Sequence, residues 1–212
     1  MMQFAKNMQR FKPAIMILVP LIIETIYTQL RDVDPSIPKA AVAQKVFGGN
    51  LKVIFSGGAY LNPDLVDFFA EYGVSVLQGY GMTECSPVIS NNNQVDAKTG
   101  SIGKPLANCQ VKFVDEEICV KGSSVMLGYY KMPKETAEAL DEDGWLHTGD
   151  LGHLDEDGFL YITGRKKNLI ILSNGENISP EERENALGKS DLVKEVLVRE
   201  NGQNIEAEIF PD

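Results

Sequence analysis

The sequence predicts an α/β protein. A parallel-sheet βαβ subdomain covers residues 1–99, an antiparallel barrel-like β subdomain covers 100–164, and a small α+β C-terminal region behind a charged joint covers 165–212. Three observations predict it. Before residue 100, continuous apolar runs of strand length alternate with helically spaced apolar residues. After it, short strands are separated by tight acidic or glycine turns. At 164–168 a charged joint, Gly164-Arg165-Lys166-Lys167-Asn168, precedes a new strand and helix.

Taken in order, residues 14–19 (Ala-Ile-Met-Ile-Leu-Val) read as a fully buried strand. Pro20 suits the first turn of a helix reaching Arg31, with Leu21, Ile22, Ile26 and Leu30 on its buried side. Residues 51–55 form a second buried strand ending at Ser56-Gly57-Gly58-Ala59. Asn62 caps a helix with Pro63 as its first residue, Leu65, Phe68, Phe69 and Tyr72 follow at helical spacing, and Gly73 ends it. Residues 74–77 are the next strand, ending at Gln78-Gly79-Tyr80-Gly81-Met82-Thr83-Glu84. A right-handed crossover makes these two strands parallel, so both glycine-rich loops leave the same sheet edge, where open α/β sheets bind ligands.

In the β-rich stretch, residues 110–114 pair with 118–121, and 149–154 pair with 159–163 around Asp155-Glu156-Asp157-Gly158. Residues 169–172 are a strand, followed by the polar loop Ser173-Asn174-Gly175-Glu176-Asn177. Ser179-Pro180-Glu181-Glu182 has the spacing of a capping box. Strands at 193–198 and 205–210 close on Asn201-Gly202, a hairpin signal.

Composition excludes several function classes. At 43% hydrophobic and 24% charged the chain has the balance of an ordinary soluble globular protein. A net charge of −10 argues against a nucleic-acid binder, so any anionic ligand must be held by local groups. Cys85, Cys109 and Cys119 are unpaired in spacing and suit a reducing compartment, and no zinc-ligand spacing appears. The apolar run 13–23 is broken by Pro20 and is too short to span a bilayer. The opening residues lead into a polar stretch rather than a secretory leader.

Gly57-Gly58-Ala59 lets a ligand touch backbone, or simply makes a tight strand-to-helix turn. The segment 78–84 offers an aromatic face, amides and a hydroxyl for a phosphate, and a carboxylate for a hard cation. The alternative is an aromatic filling a loop between glycines. Cys85 has nothing basic beside it to make it a thiolate, so it reads as a packing residue.

Gly79-Tyr80-Gly81-Met82-Thr83-Glu84, then Gly144-Trp145-Leu146-His147-Thr148-Gly149-Asp150, then Gly164-Arg165-Lys166-Lys167 resembles the adenylate-forming superfamily in motif order and separation. Residues 19–24 and Gly128-Tyr129-Tyr130 lean toward its long-chain fatty acid–CoA ligases. The resemblance implies ATP, Mg²⁺ and CoA as ligands, and two steps: carboxylate plus ATP to acyl-AMP and pyrophosphate, then acyl transfer to the CoA thiol. It places Gly57, Gly58 and Ala59 along the adenine, with Tyr80 stacked on it inside the 78–82 segment (Gln78, Gly79, Gly81 and Met82). Thr83 falls on the α-phosphate, Glu84 on Mg²⁺, and Asp150 on both ribose hydroxyls, while Arg165 is a second nucleotide contact. Lys167 falls at the hinge of the small domain, and Gly175 and Glu176 in a loop that enters for the CoA step.

By the same resemblance, residues 1–164 are the C-terminal part of the large nucleotide-binding domain, and 165–212 are the hinge and a small, truncated α+β C-terminal domain. The partners are small molecules and the location is cytoplasmic, with peripheral membrane contact left open. A phosphate loop is expected ahead of residue 14 and a catalytic lysine beyond Asp212, so the chain reads as an internal segment that is inactive alone. The stretches 31–47 and 115–117 are short against the family. An adenylation module loading a carrier protein, and a non-catalytic scaffold, are the alternatives.

Overall fold

The opening stretch, polar in composition, is amphipathic when wound up. The computed structural model describes residues 2–172, 175–190, 192–202 and 204–211, and begins with helix α1 (Met2–Phe11). Met8 is buried in the core it faces. Two compact units divide the chain: Met1–Thr83 with Pro87–Lys104, and Glu84–Ser86 with Pro105–Asp212.

The first unit is a sheet with helices on one face. Strand β1 (Ile15–Leu18) leads through Val19 into helix α2 (Pro20–Arg31), which starts at proline as the sequence requires. Helix α3 (Lys39–Phe47) occupies most of the short stretch after it and packs on α1. Strand β2 (Val53–Ser56), helix α4 (Asp64–Ala70) and strand β3 (Ser75–Gly81) complete a βαβ unit. The Asn62 side chain accepts the Asp64 amide at 3.1 Å as a cap would, but the helix is shorter than expected, with Pro63 at its N-cap and Tyr72 and Gly73 beyond its end. β1 pairs β2 and β2 pairs β3 in parallel register, with Phe55 opposite both Ile17 and Leu77. Strands β4 (Val88–Asn91) and β5 (Lys104–Pro105) extend the order to β1-β2-β3-β4-β5. Ile23, Ile26, Leu30, Phe47, Ile54, Phe69 and Val74 form the core between sheet and helices.

Three expectations are corrected here. Strand β1 is an edge strand, so only Met16 and Leu18 pack inward, while Ile15 and Ile17 are 59% and 84% exposed. In α2 the buried side is Pro20, Ile23, Ile26 and Leu30, and Leu21 and Ile22 face outward. Strand β3 does not end at Leu77. It runs through Gln78, Gly79, Tyr80 and Gly81 because β4 returns antiparallel alongside, setting Tyr80 opposite Ser90.

That pairing explains one glycine physically. A Cβ at Gly81 would lie 1.8 Å from the Pro87 carbonyl oxygen, which also accepts the Met82 amide at 2.8 Å. Since backbone cannot move aside as a side chain can, Gly81→Ala is expected to cost about 2–3 kcal/mol of stability, read as a lowered urea midpoint at unchanged slope. A midpoint equal to wild type would show that the turn opens freely.

The second unit is antiparallel. Strand β6 (Cys109–Val114) and strand β7 (Glu117–Gly122) join through Asp115 and Glu116, both at positive φ (49° and 65°), so the short 115–117 connection is a two-residue turn. Helix α5 (Pro133–Ala139) precedes strand β8 (Leu146–Leu154), and strand β9 (Leu160–Arg165) pairs back on it. The sheet order β6-β7-β8-β9 is an open meander, which corrects the barrel-like expectation to no closed barrel among the described residues. β8 also begins earlier than its glycine suggests, so Leu146-His147-Thr148 belong to the strand.

After a 3-10 turn at Lys166–Asn168, strands β10 (Ile170–Ile171) and β11 (Asn177–Ile178) form a short antiparallel pair. Helix α6 (Pro180–Leu187) follows, with the Ser179 hydroxyl accepting the Glu182 amide at 3.3 Å, one half of the expected capping box, while it is Glu181 whose carboxylate accepts from the Ser179 hydroxyl at 3.1 Å. Strands β12 (Val193–Asn201) and β13 (Asn204–Pro211) make the closing hairpin. Val198 joins Ile170 and Ile178 in a small core. Among the described residues no helix is long and apolar enough to cross a membrane.

Candidate active site

In the first unit, the end of β2 at Ser56 lies beside Gln78 of β3, and both strands continue into glycine. A Cβ at Gly57 would meet the Gly79 carbonyl oxygen at 2.9 Å, so this close approach excludes a side chain. Gly58 has φ +85° with open space around it, and Ala59 is exposed. The loop therefore presents bare main chain to solvent, which is what a flat aromatic ligand needs. Beside it, the Ser56 hydroxyl is buried with no hydrogen-bond partner. A buried polar atom left this way is rare and marks a place where water or a ligand group belongs.

The 78–84 motif is more ordered than a loop. Gln78 and Tyr80 are both 9% exposed, Gly79 and Met82 are half-buried, and Thr83 is exposed. Asn92 holds the end of β3 by donating to the Gln78 and Ser101 carbonyls at 3.3 and 2.8 Å.

In the second unit, Glu84 accepts a hydrogen bond from the Tyr129 hydroxyl at 2.8 Å, and its carbonyl accepts the Met126 amide at 2.8 Å. The contact to Glu84 holds the Tyr129 phenol above its ordinary range, since the carboxylate favours the protonated form. Sequence reasoning used Tyr129 only as a mark of resemblance. Its partnership with Glu84, 45 residues away, depends on how the 123–130 segment folds back. Cys85 is fully buried, and burial pushes its thiol up to about 11, so it is a packing residue as expected.

Asp150 and Arg165 are directly opposite on β8 and β9, and Nε of Arg165 donates to the Asp150 carboxylate at 2.8 Å. Asp150 is 4% exposed, and its amide donates to the Thr148 hydroxyl, which in turn donates to the Ile118 carbonyl at 2.7 Å. Two residues singled out from separate motifs are thus a cross-strand pair. The start of β8 is set by Asp141, whose carboxylate accepts the Asp143 and Trp145 amides at 3.0 and 2.8 Å. The Lys112 ammonium sits 4.4 Å from the Trp145 ring centroid.

Pairing of β7 with β8 sets Cys119 opposite His147 and gathers a cluster the sequence analysis did not find. The Glu117 carboxylate takes the His147 Nδ1–H at 3.1 Å and the Lys166 ammonium at 2.8 Å on one oxygen, and the Gly149 amide at 3.0 Å on the other. Burial pushes the Glu117 carboxyl up, but Lys166, His147 and the Gly149 amide outweigh burial and hold it below its ordinary value. Glu117, Cys119 and His147 place one possible metal-ligand atom each within 4.8 Å of the others. However, the Lys166 ammonium already occupies Glu117, and burial pushes the Cys119 thiol up to about 11. The cluster is an ion-pair node. Its one sequence signal was an acidic residue at the head of the buried run Ile118-Cys119-Val120.

Lys167 is exposed in the 3-10 turn. Gly175 (φ +83°) turns the chain between β10 and β11, its amide donating to the Leu172 carbonyl while the Leu172 amide donates to that of Glu176. Ser173 and Asn174, expected in the same loop, lie outside the described residues.

Residues 1–130 match the family described as AMP-binding enzyme. Long chain acyl-CoA synthetase 7, peroxisomal, of Arabidopsis thaliana is 41% identical over 173 residues, covering 74% of this chain and 25% of that protein. Long-chain-fatty-acid–CoA ligase FadD15 of Mycobacterium bovis is 40% identical over 152 residues, covering 71% and 25%. The chain thus spans about a quarter of the length of these curated relatives. Among solved structures, o-succinylbenzoate CoA synthetase of Bacillus subtilis with its acyl-adenylate intermediate superposes with a TM-score of 0.80. It is 29% identical, and the match covers 98% of this chain and 43% of that one. The same enzyme with ATP and magnesium ion gives a TM-score of 0.78 at 30% identity, covering 98% and 44%. With the family matched over more than half of the chain and the fold shared with adenylate-bound enzymes, this chain belongs to the AMP-binding enzyme family.

Proposed function

We propose that this chain is the nucleotide-binding and hinge portion of an ATP-dependent long-chain fatty acid–CoA ligase. In the first step a carboxylate oxygen attacks the α-phosphorus of ATP, forming the O–P bond of acyl-AMP as pyrophosphate leaves. In the second the CoA sulfur attacks the acyl carbon, losing its proton, and AMP leaves. The observation that carries the reading is the Asp150–Arg165 pair, a buried acceptor-only carboxylate held by a guanidinium. Such a group suits two vicinal ribose hydroxyls, each of which can donate to one oxygen. Relatives near 40% identity that are CoA ligases support CoA over a carrier protein as acceptor.

The roles divide by unit. In the first, Gly57, Gly58 and Ala59 give the adenine a bare backbone surface, and Tyr80, held between Gly79 and Gly81 and flanked by Gln78 and Met82, gives it an aromatic face. Thr83 supplies an exposed hydroxyl for the α-phosphate. In the second, Asp150 and Arg165 hold the ribose side. Residues 165–212 form the hinge and small domain, turning at Lys167, with Gly175 and Glu176 on the CoA side.

Glu84 is the residue that fits Mg²⁺: a partly exposed hard-oxygen ligand already oriented by the Tyr129 hydroxyl. Bound there, the ion supplies neutralisation of phosphate charge. Tyr129→Phe removes that orientation, and the Mg²⁺ concentration for half-maximal adenylation by the full-length protein should rise roughly threefold to tenfold. An unchanged Mg²⁺ dependence would mean that Tyr129 does not position Glu84.

The function itself is tested in the full-length protein by palmitate-dependent exchange of pyrophosphate into ATP, followed by CoA-dependent release of the thioester. Exchange without thioester formation, together with acylation of a phosphopantetheinyl carrier, would replace CoA by a carrier protein. No exchange at all would remove the ligase reading.

A further inference from the structure

Glu117 begins β7 and is 3% exposed, a position where an unpaired carboxylate is costly. Its three donors come from two separate segments. His147 Nδ1–H and the Gly149 amide lie on β8, three residues and one residue before Asp150. Lys166 follows Arg165 at the end of β9. Asp150 and Arg165 are themselves opposite one another and joined at 2.8 Å. One buried carboxylate therefore fastens the flanks of both members of this pair, beside the Thr148 hydroxyl that links the Asp150 amide to the Ile118 carbonyl of the same strand.

We infer that Glu117 is a positioning residue for the Asp150–Arg165 pair, setting the Asp150 carboxylate in register with the two ribose hydroxyls of a nucleotide. This rests on the proposed role of Asp150. Register is the point at issue. Gly149 has φ +73°, and β8 is irregular against β9 between Leu151 and Gly152, so β8 around Asp150 is not held by regular ladder geometry alone. The Glu117–Gly149 hydrogen bond fixes the residue before Asp150, and the Glu117–Lys166 ion pair fixes the residue after Arg165. A purely structural Glu117 would affect folding but would not distinguish one part of the ligand from another.

The test compares AMP with 2′,3′-dideoxy-AMP by isothermal titration, using the 212-residue chain as wild type, Glu117→Gln and Lys166→Met, each checked for folding by circular dichroism. Wild type should prefer AMP. Glu117→Gln, which keeps shape and removes charge, should weaken AMP about tenfold and 2′,3′-dideoxy-AMP far less, shrinking the preference. Lys166→Met, at an exposed side chain, should shift the preference in the same direction and keep the test decisive if Glu117→Gln does not fold. Equal weakening of both ligands, or an unchanged preference in the folded variants, overturns the positioning role. No AMP binding by wild type removes the nucleotide reading first, and the inference with it.

Discussion

Glu84→Ala in the full-length protein should lower the rate of adenylation on the order of a hundredfold or more, while AMP binding weakens far less. A carboxylate is a poor nucleophile toward an anionic phosphate, so the reaction depends on charge neutralisation as negative charge redistributes toward the leaving pyrophosphate. Removing a metal ligand would remove stabilisation that is felt mainly in the transition state, and on the proposed reading AMP, which has no leaving group, depends on base and ribose contacts instead. The Tyr129 hydroxyl bond already orients the Glu84 carboxylate, the group proposed to hold the ion. Rapid-quench measurement of acyl-AMP formation against Mg²⁺ concentration separates the cases. An adenylation rate restored to wild type by raised Mg²⁺ would show that Glu84 is not the ligand.

Lys167→Pro should separate the two half-reactions. Proline fixes φ near −65° and removes an amide donor in the 3-10 turn between β9 and β10. If the chain turns there between steps, adenylation survives within roughly tenfold, while thioester release from preloaded acyl-AMP falls much further. Two controls keep the result specific. Lys167→Ala leaves the backbone free and should keep both steps. Lys166→Ala matters because proline also restricts the residue before it, and Lys166 holds Glu117. Equal losses in both steps with a lowered melting temperature would mean that proline only damages the turn.

The parts of the fold that follow from local chemistry were legible. Pro20 starts α2, Asn62 caps α4, Ser179 caps α6, and Gly202 turns the last hairpin at φ +65°. What was not legible depends on neighbours. The run at residues 14–19 is as apolar as a central strand, yet β1 sits at a sheet edge, where one face has no cover among the described residues. Tyr80 lies in a strand rather than a loop because of β4, whose sequence, Val88-Ile89-Ser90-Asn91, gives no sign of which strand it will pair.

The site divides the same way. Motif order pointed to Asp150 and Arg165, and the structure adds that they touch. Glu117 and Tyr129 carry no motif signal for their contacts. Each acts across 30 to 49 residues through strand pairing or a folded-back segment, which spacing along the chain does not encode.

Titration of AMP into the 212-residue chain, with Asp150→Asn alongside, decides whether Asp150 holds a nucleotide. Saturable binding is expected at one AMP per chain, weakened at least tenfold by Asp150→Asn, which keeps the shape but replaces one acceptor oxygen by a donor. Absence of binding by a folded wild type, or binding that Asp150→Asn leaves unchanged, would contradict it.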